Sequence, residues 1–101
     1  MIAQGPAILV VEDDPDLLSL MEMILSDTGR RVRTAREGGA ALARADEEMP
    51  ALVLLDMRMP GMNGWDFARE FRARHGRRCP IVVVTAAENA RRSAEEIGAD
   101  A

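Results

Sequence analysis

The sequence predicts an α/β domain built on a doubly wound parallel sheet, and three observations predict it. Apolar runs at residues 7 to 11, 51 to 55 and 81 to 84 are short and unbroken, as strands buried on both faces are. The stretches between them carry helical spacing and helix caps, so strand and helix alternate. That order calls for parallel strands, right-handed crossovers and helices on both faces. Acids close two of the runs, Glu12 and Asp13 the first and Asp56 the second, at the strand ends where ligands of parallel sheets gather.

Taken in order, the first strand is Ala7-Ile8-Leu9-Val10-Val11. Asp14 then reads first as an N-cap, and Pro15 suits the first position of a helix. Leu17, Leu18, Leu20, Met21, Ile24 and Leu25 give that helix a broad apolar face before Gly29 stops it. Arg31-Val32-Arg33-Thr34-Ala35 alternates charge with apolar residues and predicts a strand nearer an edge. A second helix, about residues 37 to 48, offers Ala40, Ala41, Leu42 and Ala45 to the core. The second apolar run ends in Asp56, and the loop from Met57 to Gly64 holds Pro60 and Gly61, which suit a fixed turn. A third helix, about 64 to 75, brings Trp65, Phe67, Ala68 and Phe71 before Gly76. After the run at 81 to 84, a thin helix at about 88 to 97 has only Ala90, Ala94 and Ile97 on its apolar side, so it should bind the sheet weakly and move most easily.

No repeat, low-complexity tract or linker interrupts the 101 residues, which predicts one domain spanning residues 1 to 101. Hydrophobic residues make up 48% and charged residues 30%, and the net charge is -4. A chain of this charge has no electrostatic reason to bind nucleic acid or an anionic membrane directly. No apolar run approaches the roughly 18 residues of a membrane span, and Met1 to Pro6 lack the charge pattern of a signal peptide. With a single cysteine, Cys79, the chain is expected in the reducing cytoplasm. All 13 basic residues are arginine.

The chemistry lies with the acids. A carboxylate such as Asp56 can attack phosphorus to give an acyl phosphate, and the transfer then depends mainly on positioning and on cancelling charge. Glu12 and Asp13 on the same rim would repel Asp56 unless a hard cation sits between them. An all-oxygen site suits Mg2+ better than zinc. Thr85, followed by Ala86 and Ala87, offers a hydroxyl with room for an anion beside it. Alone, a threonine at a strand end more often satisfies local backbone groups, and acids are common at strand ends and caps. Their conjunction on one side of one sheet favours a functional site.

These segments resemble the receiver domain of two-component response regulators. The likeness runs through Ile8-Leu9-Val10-Val11-Glu12-Asp13-Asp14-Pro15, Leu54-Leu55-Asp56-Met57-Arg58-Met59-Pro60-Gly61-Met62-Asn63-Gly64, Val82-Val83-Val84-Thr85-Ala86 and Gly98-Ala99-Asp100-Ala101. The resemblance implies a flavodoxin-like sheet of order 2-1-3-4-5. It also implies that Asp56 takes a phosphoryl group from a histidine kinase or phosphotransfer protein. By the same resemblance, Mg2+ is bound directly by Asp13, partly through water by Glu12, by Asp56 itself and by the backbone carbonyl of Arg58. Thr85 matches the switch hydroxyl, and the output passes to an attached domain or an effector protein.

In the family, a fifth strand with an aromatic switch residue, a lysine, a proline and a fifth helix follow Gly98-Ala99-Asp100-Ala101. The sequence ends at Ala101, before these elements. If the chain ends there, residues 81 to 84 become an apolar sheet edge, and homodimerisation through that edge or poor solubility is expected. Without the lysine, phosphorylation is expected to weaken or to lose its coupling to the switch. Two rival readings have their own discriminating features. An aspartate-nucleophile phosphohydrolase usually needs a general acid two residues after the nucleophile, where this chain has Arg58, which cannot serve. A pseudo-receiver that binds partners without phosphorylation fits the absent lysine but not the intact acids. Trp65 is expected to pack in the core or a groove, the methionines around Asp56 to fill gaps, Cys79 to be structural, and His75 to belong to a solvated, Arg-rich helix end.

Overall fold

The computed structural model describes residues 5–57, 61–84 and Glu95. Four parallel strands, β1 (Ile8–Val11), β2 (Val32–Ala35), β3 (Leu52–Leu55) and β4 (Ile81–Val83), form one sheet in the order β2-β1-β3-β4. Helices α1 (Pro15–Ser26), α2 (Gly38–Glu47) and α3 (Gly64–His75) make the crossovers. The first four positions of the expected 2-1-3-4-5 order are therefore present. The helix expected at about 88 to 97 lies outside the described residues except for Glu95, which is helical and exposed. The segment Gly98-Ala99-Asp100-Ala101 lies outside them as well.

Alternation along the strands divides the core in two. Leu9, Val11, Val53, Leu55, Ile81 and Val83 face α2 and α3, where they meet Ala41, Leu42, Ala45, Phe67, Ala68 and Phe71. Phe67 and Phe71 stack with centroids 5.5 Å apart, and neither exposes any surface. On the other face, Ile8, Val10 and Leu18 form a smaller cluster, with Met21, Leu25, Val32, Leu52 and Leu54 partly buried against it. The broad apolar face expected of α1 is thus split. Leu18, Met21 and Leu25 turn to the sheet, whereas Leu17, Leu20, Met23 and Ile24 are 40–58% exposed.

The helix ends follow from their capping residues. The Asp14 side chain accepts hydrogen bonds from Asp16 N (2.9 Å) and Leu17 N (3.3 Å) at the start of α1. Asn63 accepts from Asp66 N (2.9 Å) at the start of α3, and Gly76 ends that helix with φ +64°. The edge reading of residues 31 to 35 holds, since β2 pairs with β1 alone in the described sheet. Its arginines bridge to the end of α2, Arg31 to Glu48 and Arg33 to Glu47.

Two expectations about single residues change. Trp65 is 39% exposed on α3, which removes the core half of its expectation and leaves the groove half. His75 is more than a solvated charge, because its ring packs 5.0 Å from that of Phe71 and its Nε2 lies 3.2 Å from Asp46 Oδ1 on α2. Cys79 and Met57 are buried, as expected of packing residues.

Candidate functional site

The strand ladders continue one residue past the strands and so set the rim. Glu12 N donates to Ala35 O (3.0 Å), Asp56 N to Val11 O (3.0 Å), and Val84 N to Leu55 O (2.8 Å). Glu12 and Asp56 therefore leave adjacent strands held on both sides, and Asp13 follows Glu12 into the loop. One carboxylate oxygen from each of Glu12, Asp13 and Asp56 lies within 4.8 Å of the others. Glu12 and Asp56 expose only 5% and 8% of their surface. Asp14 takes no part in the trio, since its side chain caps α1.

The trio is electrostatically unfavourable by itself. Burial pushes the Glu12 carboxyl up from 4.5 to about 7. Its hydrogen bond from Asp14 N (3.3 Å) opposes that rise, and repulsion by Asp56, Asp13 and Asp14 adds to it. Three convergent carboxylates, two of them largely withdrawn from water, suit a hard divalent cation that takes oxygen ligands. The donor set fits Mg2+.

Close packing holds the loop that follows Asp56. Met57 is 1% exposed, and Gly64 N donates to Met57 O (3.2 Å). A Cβ at Gly64 would lie 2.6 Å from Met57 Sδ, 2.7 Å from Met57 Cα and 3.1 Å from Asp56 O, so only glycine lets α3 start against this backbone. Across the loop, Met62 sits over the first residue of α2, where a Cβ at Gly38 would meet its Cγ at 2.8 Å. The turn itself uses Gly61 at φ +73°.

The structure thus brings together Glu12, Asp13 and Asp56. Arg58, expected to offer its carbonyl, and Thr85, expected as the switch hydroxyl, lie outside the described residues. Sequence reasoning missed Arg36, whose Nη2 donates to Asp13 O at 3.4 Å. Its position one residue after the second strand, at the same end as the acids, was the available signal. The close approaches at Gly38 and Gly64 were missed too, because a pattern of residue types does not show which glycine faces a neighbouring backbone.

Comparison with known proteins agrees with this geometry. The family model for the response regulator receiver domain matches residues 8–101. The DNA-binding response regulator MtrA of Mycolicibacterium smegmatis is 44% identical over 79 residues, which is 78% of this chain and 34% of that protein. The sensor histidine kinase GacS of Pseudomonas protegens is 38% identical over 88 residues, 83% of this chain and 10% of that protein. Among solved structures, the response regulator TrrA of Thermotoga maritima, in complex with Mg2+-BeF, superposes with a TM-score of 0.84 at 32% identity. That match covers 95% of this chain and 83% of that one. The chain spans about a third of the length of MtrA and of the AfsQ1 regulator of Streptomyces coelicolor. No helix among the described residues is long and apolar enough to cross a membrane. With its acidic cluster placed for Mg2+-dependent phosphoacceptor signalling, the chain belongs to the response regulator receiver domain family.

Proposed function

We propose that residues 1 to 101 act as the receiver part of a response regulator in which Asp56 accepts the phosphoryl group. The observation that carries this reading is the convergence of the Asp56, Asp13 and Glu12 carboxylates within 4.8 Å at the carboxyl rim of the sheet. The Asp56 backbone is held by its bond to Val11 O on one side and by the Gly64 approach on the other, which fixes the point on the rim from which its side chain leaves. An Asp56 oxygen attacks phosphorus. The bond from phosphorus to the donor nitrogen breaks, and the donor imidazole keeps the electron pair. Bound Mg2+ would supply charge compensation for the phosphoryl oxygens. Asp13, Glu12 and Asp56 would hold the cation together with the Arg58 carbonyl, and the Thr85 hydroxyl would hydrogen bond the phosphoryl group as the switch. The relative TrrA, solved with Mg2+-BeF, supports this assignment.

The upstream partner is a histidine kinase or phosphotransfer protein. Downstream, a further domain or an effector protein reads the changed surface. Incubation with Mg2+ and acetyl phosphate, followed by intact-mass measurement, tests the assignment. A phosphoryl adduct is expected on the wild type and not on Asp56→Ala. A folded wild type that takes up no phosphoryl group would favour a phosphorylation-independent interaction domain, and continuous phosphate release from unrelated monoesters would favour a phosphohydrolase.

A further inference from the structure

Arg36 leaves β2 directly after Ala35, whose carbonyl accepts the Glu12 N–H, so it emerges on the same rim as the acidic trio. Its side chain is exposed, and Nη2 reaches the carbonyl oxygen of Asp13 at 3.4 Å. Other arginines are neutralised elsewhere: Arg31 and Arg33 by Glu48 and Glu47 at the end of α2, and Arg74 by Asp46. The neighbouring Glu37 does not neutralise Arg36, because its carboxylate folds over α2, where a Cβ at Gly39 would lie 3.1 Å from Glu37 Oε1. Among the described residues Arg36 has a carbonyl partner and no carboxylate partner. It places a positive charge beside a rim of four acids, Glu12, Asp13, Asp14 and Asp56.

We infer that Arg36 is a charge-setting residue of the site, favouring the approach of an anionic phosphodonor to Asp56 at the expense of Mg2+ affinity. This inference rests on the phosphoacceptor reading. A phosphodonor must bring negative charge to a rim that is itself negative, and a cation at the mouth lowers that barrier over about a Debye length. The same charge repels a divalent ion. The two effects therefore have opposite signs, which a structural role for Arg36 would not produce, since damage to the rim would weaken both. The guanidinium reaches a neutral carbonyl of Asp13, so its charge lies close to the rim and remains available to the ligand.

The test compares wild type, Arg36→Gln, Arg36→Lys and Arg36→Glu in two measurements at low salt. One is Mg2+ affinity by calorimetric titration, and the other is the initial rate of phosphoryl uptake from acetyl phosphate by intact mass. For Arg36→Gln we expect uptake to slow by about 2–5-fold while Mg2+ binds about 2–5-fold more tightly. Arg36→Glu should enlarge both changes, Arg36→Lys should restore wild-type values, and added salt should shrink them. Unchanged values, or losses in both measurements, would overturn the inference. A wild type that takes up no phosphoryl group would overturn the phosphoacceptor reading instead. The Mg2+ titration would then decide by itself, with unchanged or weaker affinity in Arg36→Gln counting against the charge placement.

Discussion

The two faces of the sheet are built to different depths. Among the described residues, a cluster of fifteen buried residues that includes both phenylalanines lies against α2 and α3, whereas the buried cluster on the α1 face is Ile8, Val10 and Leu18. Both faces receive residues from the same strands, so the difference lies in the helices. α3 contributes the full depth of Phe67 and Phe71, while α1 spends half of its apolar residues on solvent. The site belongs to the deep side. The Asp56 loop is tied to α3 through Gly64 and Met57 and to α2 through Gly38 and Met62, and α1 contributes chiefly the capped turn that follows Asp13. The deep side packs against the chain leaving Asp56, whereas on the shallower side Leu17, Leu20, Met23 and Ile24 of α1 are exposed.

Substitutions should rank accordingly. Phe71→Ala removes a fully buried stacked ring and should cost about 3–5 kcal/mol in chemical denaturation. A cost near that of an exposed residue would break the contrast between the faces. Gly64→Ala comes next, because the added carbon meets Met57 backbone at 2.7 Å and the neighbours must shift. We expect about 1–3 kcal/mol of destabilisation together with weaker Mg2+ binding, since the shift falls on the chain leaving Asp56. Equal Mg2+ affinity would separate the loop from the site. At the small end, Ile24→Ala on the outer side of α1 should stay within about 0.5 kcal/mol of wild type.

Glu12 sharpens the comparison through pH. Its carboxyl is raised from 4.5 to about 7 in the folded protein, so between those values the unfolded chain has lost the proton that the folded chain retains. Stability without metal should therefore fall as pH rises from 4.5 through 7 and then level off. Mg2+ should oppose the fall, and its affinity should rise over the same interval as Glu12 ionises. Denaturation curves of wild type and Glu12→Gln with and without Mg2+ check this. A slope that persists in Glu12→Gln would assign it to another group.

Much of this organisation was legible in the sequence. The unbroken runs at 7 to 11 and 51 to 55 read as buried strands, Asp14-Pro15 marked the start of α1, and Gly64 to His75 emerged as α3 with its predicted bounds. The trio of acids was legible because each acid sits at a strand end, where chain order already determines the rim. Helix orientation was less legible. Leu17, Leu18, Leu20, Met21, Ile24 and Leu25 span more of the helix than one sheet face can cover, and periodicity alone does not say which half turns inward. Trp65 was left between core and groove for a related reason: its size favours burial, and only its place on the first turn of α3 shows that it stays 39% exposed. Arg36 was invisible as a single charge among thirteen arginines, since its relevance depends on where a long side chain ends.

The central claim is that the carboxylate held between β3 and α3 is the group that takes the phosphoryl. After incubation with Mg2+ and acetyl phosphate, borohydride reduction converts an aspartyl phosphate to homoserine, and peptide mass spectrometry locates it. Homoserine is expected at position 56 and at no other acid. Homoserine at Glu12's neighbour Asp13, or none at all on protein that carries a phosphoryl adduct, would contradict it.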